Sequence, residues 1–192
     1  MSLILASASP RRAELLGNAG IAFTVEPAHV AEQAFPDEPP LQYAKRLARD
    51  KAQAIFERNS DNVVLGADTI VVADEHLLEK PQDEQDAARM LRLLSGRTHQ
   101  VITGVCLLAT EFEQTEVEIT EVRFSPLSER EIANYIETRE PMDRAGAYAI
   151  QGVASRWVER IDGCYFNVVG LPVPRVYRML QSLEAMTEIH VL

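Results

Sequence analysis

The segment that most restricts the fold is Leu3-Ile-Leu-Ala-Ser-Ala-Ser-Pro-Arg-Arg-Ala-Glu-Leu-Leu16, an apolar run, a short polar stretch and then a helical pattern. It reads as a buried strand feeding a loop and a helix. Pro10 suits the first helical turn, where its missing N–H costs nothing, and Ser9 is a favourable N-cap. A helix start presents unpaired N–H groups and the positive end of its dipole, so an anion there is stabilised before any side chain acts. Arg11 and Arg12 fall in that same turn, where positive charge opposes the dipole by roughly several tenths of a kcal/mol unless an anion compensates it. Two readings stand on these residues: a phosphate loop, or two solvated arginines on an ordinary capped helix. The G-x-x-x-x-G-K-[ST] spacing that would choose between them is absent.

Strand-like and helix-like segments alternate along the rest of the chain, which indicates an α/β or mixed architecture. Ile21–Val25 reads as a short strand and Glu26–Pro40 as a loop, after which Pro39-Pro40 opens a helix through Phe56. Val63–Ala73 is β-rich, and Asp83–Ser95 is helical and stopped by Gly96. Val101–Thr110 and Val117–Phe124 suit a long antiparallel pair joined by the acidic Glu111–Glu116. Ser128-Glu-Arg-Glu131 is a capping box for a helix to about Thr138. Trp157–Ile161 alternates as a strand, and Val168–Pro172 leads into a last helix through Leu183. No repeat, low-complexity tract or linker divides residues 1–192, so one domain is expected.

Composition then limits the function classes. The 192 residues are 46% hydrophobic and 25% charged, the balance of a soluble globular domain. No window approaches the ~20 apolar residues of a membrane span and no basic leader precedes an apolar run, so a cytoplasmic protein is expected. The net charge of −10 argues against a nucleic-acid polymer or an anionic membrane as partner, because either needs a clustered positive surface. A small anion in one basic pocket stays allowed. Cys106 and Cys164 make no disulfide framework, and His29, His76, His99 and His190 lack the spacing of a zinc site.

Three positions conflict with their surroundings. Lys51 lies on the apolar stripe Leu41, Ala44, Leu47, Ala48, Ala52, Ile55, so it must either snorkel to an edge or reach a buried anion. Asp68 interrupts the run Val63-Val-Leu-Gly-Ala-Asp-Thr-Ile-Val-Val-Ala73, where an unpaired carboxylate is costly and a cation or a proton is required. The bland alternative is a turn aspartate between two short strands. Gly66, two residues earlier, marks a bulge or a close approach of another group to the backbone. Together with Glu32, Lys80, Thr69 and Gln151 these residues combine cations with carboxylates, a set suited to phosphate and a hard divalent metal.

At this point the chain resembles the Maf nucleoside triphosphate pyrophosphatases. The likeness runs through Leu5-Ala-Ser-Ala-Ser-Pro-Arg-Arg12, Glu32, Arg49-Asp-Lys-Ala52, Leu65-Gly-Ala-Asp-Thr-Ile-Val71, Glu79-Lys-Pro81, Met90-Leu-Arg-Leu-Leu-Ser-Gly96, His99-Gln-Val-Ile-Thr-Gly104, Asp143-Arg-Ala-Gly-Ala-Tyr148, Ile150-Gln-Gly152 and Val169-Gly-Leu-Pro172. The resemblance implies an elongated mixed β-sheet flanked by helices, two lobes around a central cleft, as in inosine triphosphatases. It implies hydrolysis of a nucleoside triphosphate to the monophosphate and pyrophosphate with a divalent cation such as Mg²⁺ or Mn²⁺. By the same resemblance Asp68 is the proton acceptor and Ser7, Arg12, Glu32, Lys51 and Lys80 are polar residues of the cleft; the chemistry of the carboxylates suits Glu32 and Asp68 to the metal. Their charge and hydroxyls suit Ser7, Ser9, Arg11, Arg12, Lys51 and Lys80 to the phosphates, and Arg11, Thr69 and Gln151 resemble the branch acting on dTTP and UTP. Ala31 departs from relatives that carry a second acid beside Glu32. Members of the family commonly pair as homodimers. Two rivals remain at this level: a non-catalytic nucleotide-binding regulator of cell division or septum formation, and a phosphatase releasing orthophosphate.

Overall fold

The computed structural model describes residues 1–187 and 190–191. The first strand, β1 (Leu3–Ala6), is buried throughout and leads through Ser7–Ser9 into helix α1 (Pro10–Asn18). The expected second strand shortens to β2 (Thr24–Val25). Helix α2 (Pro40–Phe56) and strand β3 (Val63–Ala73) follow where the sequence places them. β3 is continuous through Asp68, which removes the turn reading for that residue. A strand not foreseen, β4 (His76–Leu78), folds back antiparallel on β3. Its turn is Asp74-Glu75, both at positive φ, the hairpin geometry usually given to Asn-Gly.

Helix α3 (Glu84–Leu94) is capped by Asp83, whose carboxylate accepts from the Asp86 amide at 2.8 Å. β5 (Thr98–Ala109) and β6 (Phe112–Phe124) are joined by Thr110-Glu111 alone, so most of the acidic segment assigned to a connection is strand. Its charges are countered: Arg49 meets Glu113 at 2.6 Å and Arg175 meets Glu118 at 2.6 Å and also Glu116. Helix α4 (Glu129–Glu137) carries the expected capping box between Ser128 and Glu131. β7 (Val158–Asp162), a short helix α5 (Tyr165–Val169) and the last helix α6 (Val173–Met186) complete the elements.

The seven strands form one mixed sheet in the order β2-β1-β3-β5-β6-β7, with β4 beside β3. β1 runs parallel to both β2 and β3, whereas β6 and β7 pair antiparallel. The chain divides into two compact units. One comprises Met1–Asp68, Thr103–Glu118 and Gly170–Leu192; the other comprises Thr69–Ile102 and Ile119–Val169.

In the first unit α2 lies against the sheet through small residues. Ile4, Ala6, Ala48, Ala52, Ile55, Val64, Cys106 and Leu108 form a closed apolar cluster. Gly66 and Gly104 are what allow the helix so close: a Cβ at Gly66 would meet the Ala48 carbonyl and come within 2.7 Å of the Ala52 amide nitrogen, and one at Gly104 would meet the Ala44 carbonyl. The glycine in β3 is therefore a close approach to helix backbone. We expect Gly66→Ala to destabilise the fold by about 1–3 kcal/mol, the usual cost of overpacking, read from urea denaturation; a variant as stable as the parent would show that the helix can lift away freely.

The second unit is built on aromatic packing. Tyr135 meets Trp157 edge-on at 5.0 Å, and Phe124 meets Tyr148 at 4.8 Å and His99 at 5.0 Å. His99 Nε2 is 2.8 Å from the Tyr148 hydroxyl. Burial pushes its pKa down to about 4, so it is neutral in the fold, a core histidine. Cys106 and Cys164 are free thiols, and burial pushes Cys106 up to about 11.

Candidate active site

The close seating of α2 on β3 determines where Lys51 can go. One turn before it Ala48, and one residue after it Ala52, touch the strand at Gly66, so the lysine stem enters the protein. Its ammonium is buried and donates to Asp68 Oδ1 at 2.6 Å, with Glu32 Oε1 at 2.5 Å. Snorkelling is thereby excluded, and the reading in which Lys51 reaches a buried anion holds. Leu41, placed on the same stripe from sequence, is 41% exposed because it precedes the part of the helix that meets the sheet.

Asp68 is also buried, and desolvation raises its pKa above the usual carboxylate range. Lys51 and Arg12 oppose that rise and Glu32 adds to it. Burial gives this carboxylate an unusually high affinity for a proton while its two cations favour the ionised form, a balance suited to a general base.

The loop after β1 supplies the neighbouring charge. Arg12 turns inward from the first turn of α1, its Nε donating to the Gly170 carbonyl at 2.8 Å and its Nη1 to Ser7 Oγ at 3.1 Å. Ser7 Oγ also accepts from the Ser9 amide at 3.2 Å. Ser9 occupies the N-cap position, but its side chain makes no capping bond. Part of the compensation that the sequence assigns to an anion is thus supplied by protein acceptors. Burial lowers the pKa of Arg12, with Asp68 opposing and Arg11 adding to the fall. Ser7, Arg12, Glu32, Lys51 and Asp68 are accordingly drawn together within the first unit, with Ser9 and Arg11 on the same loop and helix turn.

The second unit holds the others. Thr69 is half-buried on β3, and Lys80 is exposed with its ammonium 3.2 Å from Asp143. Gln151 stands exposed at the tip of a turn closed by the Gly152 amide on the Ala149 carbonyl at 3.0 Å. A hydrogen-bond network without any signature in the sequence braces this turn. The Tyr135 hydroxyl accepts from the Ala149 amide at 3.1 Å and donates to Glu140 at 2.7 Å, and Glu140 accepts from the Val153 amide at 3.4 Å. A Cβ at Gly152 would strike the Glu140 carboxylate.

Glu32 and Asp68 present two hard carboxylate donors to one point, presently the Lys51 ammonium. Mg²⁺ is commonly held by one or two carboxylates with phosphate oxygens and waters completing the octahedron, so this pair fits such an ion together with a phosphate ligand. Among the described residues no group of three or more His, Cys, Asp or Glu could form a cage by itself. Nor is any helix among them long and apolar enough to cross a membrane.

Comparison with known proteins places the chain in a family. The family model described as Maf-like protein matches residues 2–183. The chain is 62% identical over 181 residues to a dTTP/UTP pyrophosphatase of Koribacter versatilis, covering 94% of each chain. It is 53% identical to one of Syntrophomonas wolfei, covering 92% of this chain and 94% of the relative, and 44% identical to one of Aquifex aeolicus, covering 96% of each. From the first strand to the last helix, this chain belongs to the Maf-like protein family.

Proposed function

We propose that the protein is a nucleoside triphosphate pyrophosphatase that hydrolyses dTTP and UTP to the nucleoside monophosphate and pyrophosphate, in the cytoplasm. The observation that carries this reading is the buried Lys51 ammonium held between Asp68 at 2.6 Å and Glu32 at 2.5 Å, in a chain whose relatives carry that name. A merely structural lysine would not need two carboxylates on an otherwise apolar helix face.

In this reading Asp68, whose ionised form Lys51 and Arg12 favour, accepts a proton from a water as that oxygen bonds to the α-phosphorus. The bond from the α-phosphorus to the bridging oxygen breaks, and its electron pair leaves with pyrophosphate. Arg12 and Lys51 stabilise the charge that accumulates on the phosphate oxygens. Glu32 and Asp68 are the residues that would hold a divalent cation, which when bound neutralises phosphate charge and makes a water more acidic. Their charge and hydroxyls suit Ser7, Ser9, Arg11 and Lys80 to the phosphates, and Arg11, Thr69 and Gln151, which the family resemblance marks as subgroup positions, to the base.

Uracil and thymine offer two carbonyl oxygens and one N–H, which a glutamine amide can match as donor and acceptor, whereas cytosine replaces one carbonyl with an amine. With Mg²⁺ and a panel of triphosphates, UTP and dTTP should yield pyrophosphate at similar kcat/KM, with CTP and the purines poorer by at least about tenfold. Release of orthophosphate in place of pyrophosphate would overturn the reaction assignment. Equal kcat/KM for CTP and UTP, or an unchanged preference in Gln151→Glu, would overturn the base assignment.

A further inference from the structure

Glu32 lies in an irregular, exposed loop, yet its carboxylate is brought to a buried ammonium. Something must hold that loop against α2. One turn and a half before Lys51 on the same helix, Arg46 reaches out to the loop with its guanidinium. Its Nε and Nη2 each bond one oxygen of Glu38 at 2.7 Å, and Nη2 also donates to the carbonyl of Gln33 at 2.9 Å. The carbon of the guanidinium lies 4.1 Å from the centre of the Phe35 ring and 5.4 Å from that of Tyr43. Asp50, on the next turn of α2, accepts from Nη1 at 3.3 Å. On the loop side, the Glu38 carboxylate also accepts from the Phe35 amide at 3.0 Å, and the Glu38 amide donates to the Phe35 carbonyl at 3.1 Å. Gln33 is the residue next to Glu32.

We propose that Arg46 is a positioning residue of the proposed reaction: it clamps the loop from Gln33 to Glu38 onto α2 and thereby fixes the Glu32 carboxylate beside Lys51 and Asp68. The inference rests on the functional reading above. Only a planar, forked cation can make the paired bonds to Glu38, reach the Gln33 carbonyl and lie over Phe35 together, so lysine cannot replace it.

Hydrogen exchange and kinetics test this together. In Arg46→Met the amides between residues 31 and 38 should exchange faster than in the parent, and kcat/KM for UTP should fall by about tenfold. Arg46→Lys should behave like Arg46→Met, and Glu38→Gln, made from the loop side, should change exchange in the same direction. In a Glu32→Gln background Arg46→Met should add no further loss, because its effect passes through Glu32. Unchanged exchange, full rescue by lysine, or an equal loss in both backgrounds would each overturn the proposal. Exchange requires no substrate. A parent that releases no pyrophosphate would therefore sink the functional reading alone, while the exchange of Arg46→Met and Arg46→Lys still decides whether the clamp exists.

Discussion

Asp68→Asn should lower pyrophosphate release from UTP by about 10²–10⁴-fold, the range general-base catalysis commonly contributes, while cooperative thermal unfolding is retained. Asparagine keeps the shape of the side chain and can still accept a hydrogen bond from Lys51, which also keeps Glu32 at 2.5 Å. The loss therefore falls on chemistry and leaves packing alone. Burial holds the Asp68 carboxyl above the usual range, so the parent's kcat/KM should fall on the acid side at a pH higher than an ordinary aspartate gives. Steady-state rates across pH, with circular dichroism on the same preparations, check both statements. Near-parental turnover in the asparagine variant would remove Asp68 from the role of base.

Lys51→Met is expected to lose about 10²–10³-fold in kcat, the scale seen when a preorganised electrostatic partner is removed, and to acquire a pH-dependent loss of stability. Methionine retains the apolar stem but leaves Asp68 buried without the cation 2.6 Å away. The folded pKa of Asp68, already raised, then rises further. A carboxyl with a raised folded pKa lets the unfolded chain ionise first. Its cost begins as pH passes the unfolded value of about 3.9, grows until the folded value is passed, and is constant above it. The difference in melting temperature between variant and parent should thus be constant below about pH 4 and shift against the variant as pH rises through neutral. Parallel melting curves at every pH, with normal activity, would show that Lys51 does not set the charge state of Asp68.

Asp68 and Lys51 were legible because each contradicts its own local pattern, a carboxylate in a strand run and an ammonium on an apolar stripe. Their partnership follows once α2 and β3 are known to pack, and Gly66 announced that contact without naming the helix. Glu32 carries no such contradiction; an acid in an acidic loop looks solvated, and it was marked only as one member of a set of cations and carboxylates and by the family likeness. Arg46 was hidden for the same reason, since on the helix it reads as an ordinary polar-face arginine near Asp50, and its main partner Glu38 lies eight residues away in a loop with no periodicity. The hairpin strand β4 escaped because Asp74-Glu75 lacks the glycine or asparagine that positive φ usually demands. In β6 the run of acids masked the alternation, because ion pairs from Arg49 and Arg175 restore the balance only in three dimensions.

The contact of α2 with Gly66 and Gly104 also bears on how freely this chain can vary. A methyl group added at either glycine pushes the helix outward by a distance comparable to a hydrogen bond's whole tolerance, and the Lys51 ammonium travels with it. Ala44, Ala48 and Ala52, which lend the helix its flat side, are bound by the same geometry. In a saturation library these five small residues should be as intolerant as the charged ones, although none of them meets a substrate. Intolerance at such positions records a spacing between backbones, and a map of mutational sensitivity alone would mistake that spacing for chemistry.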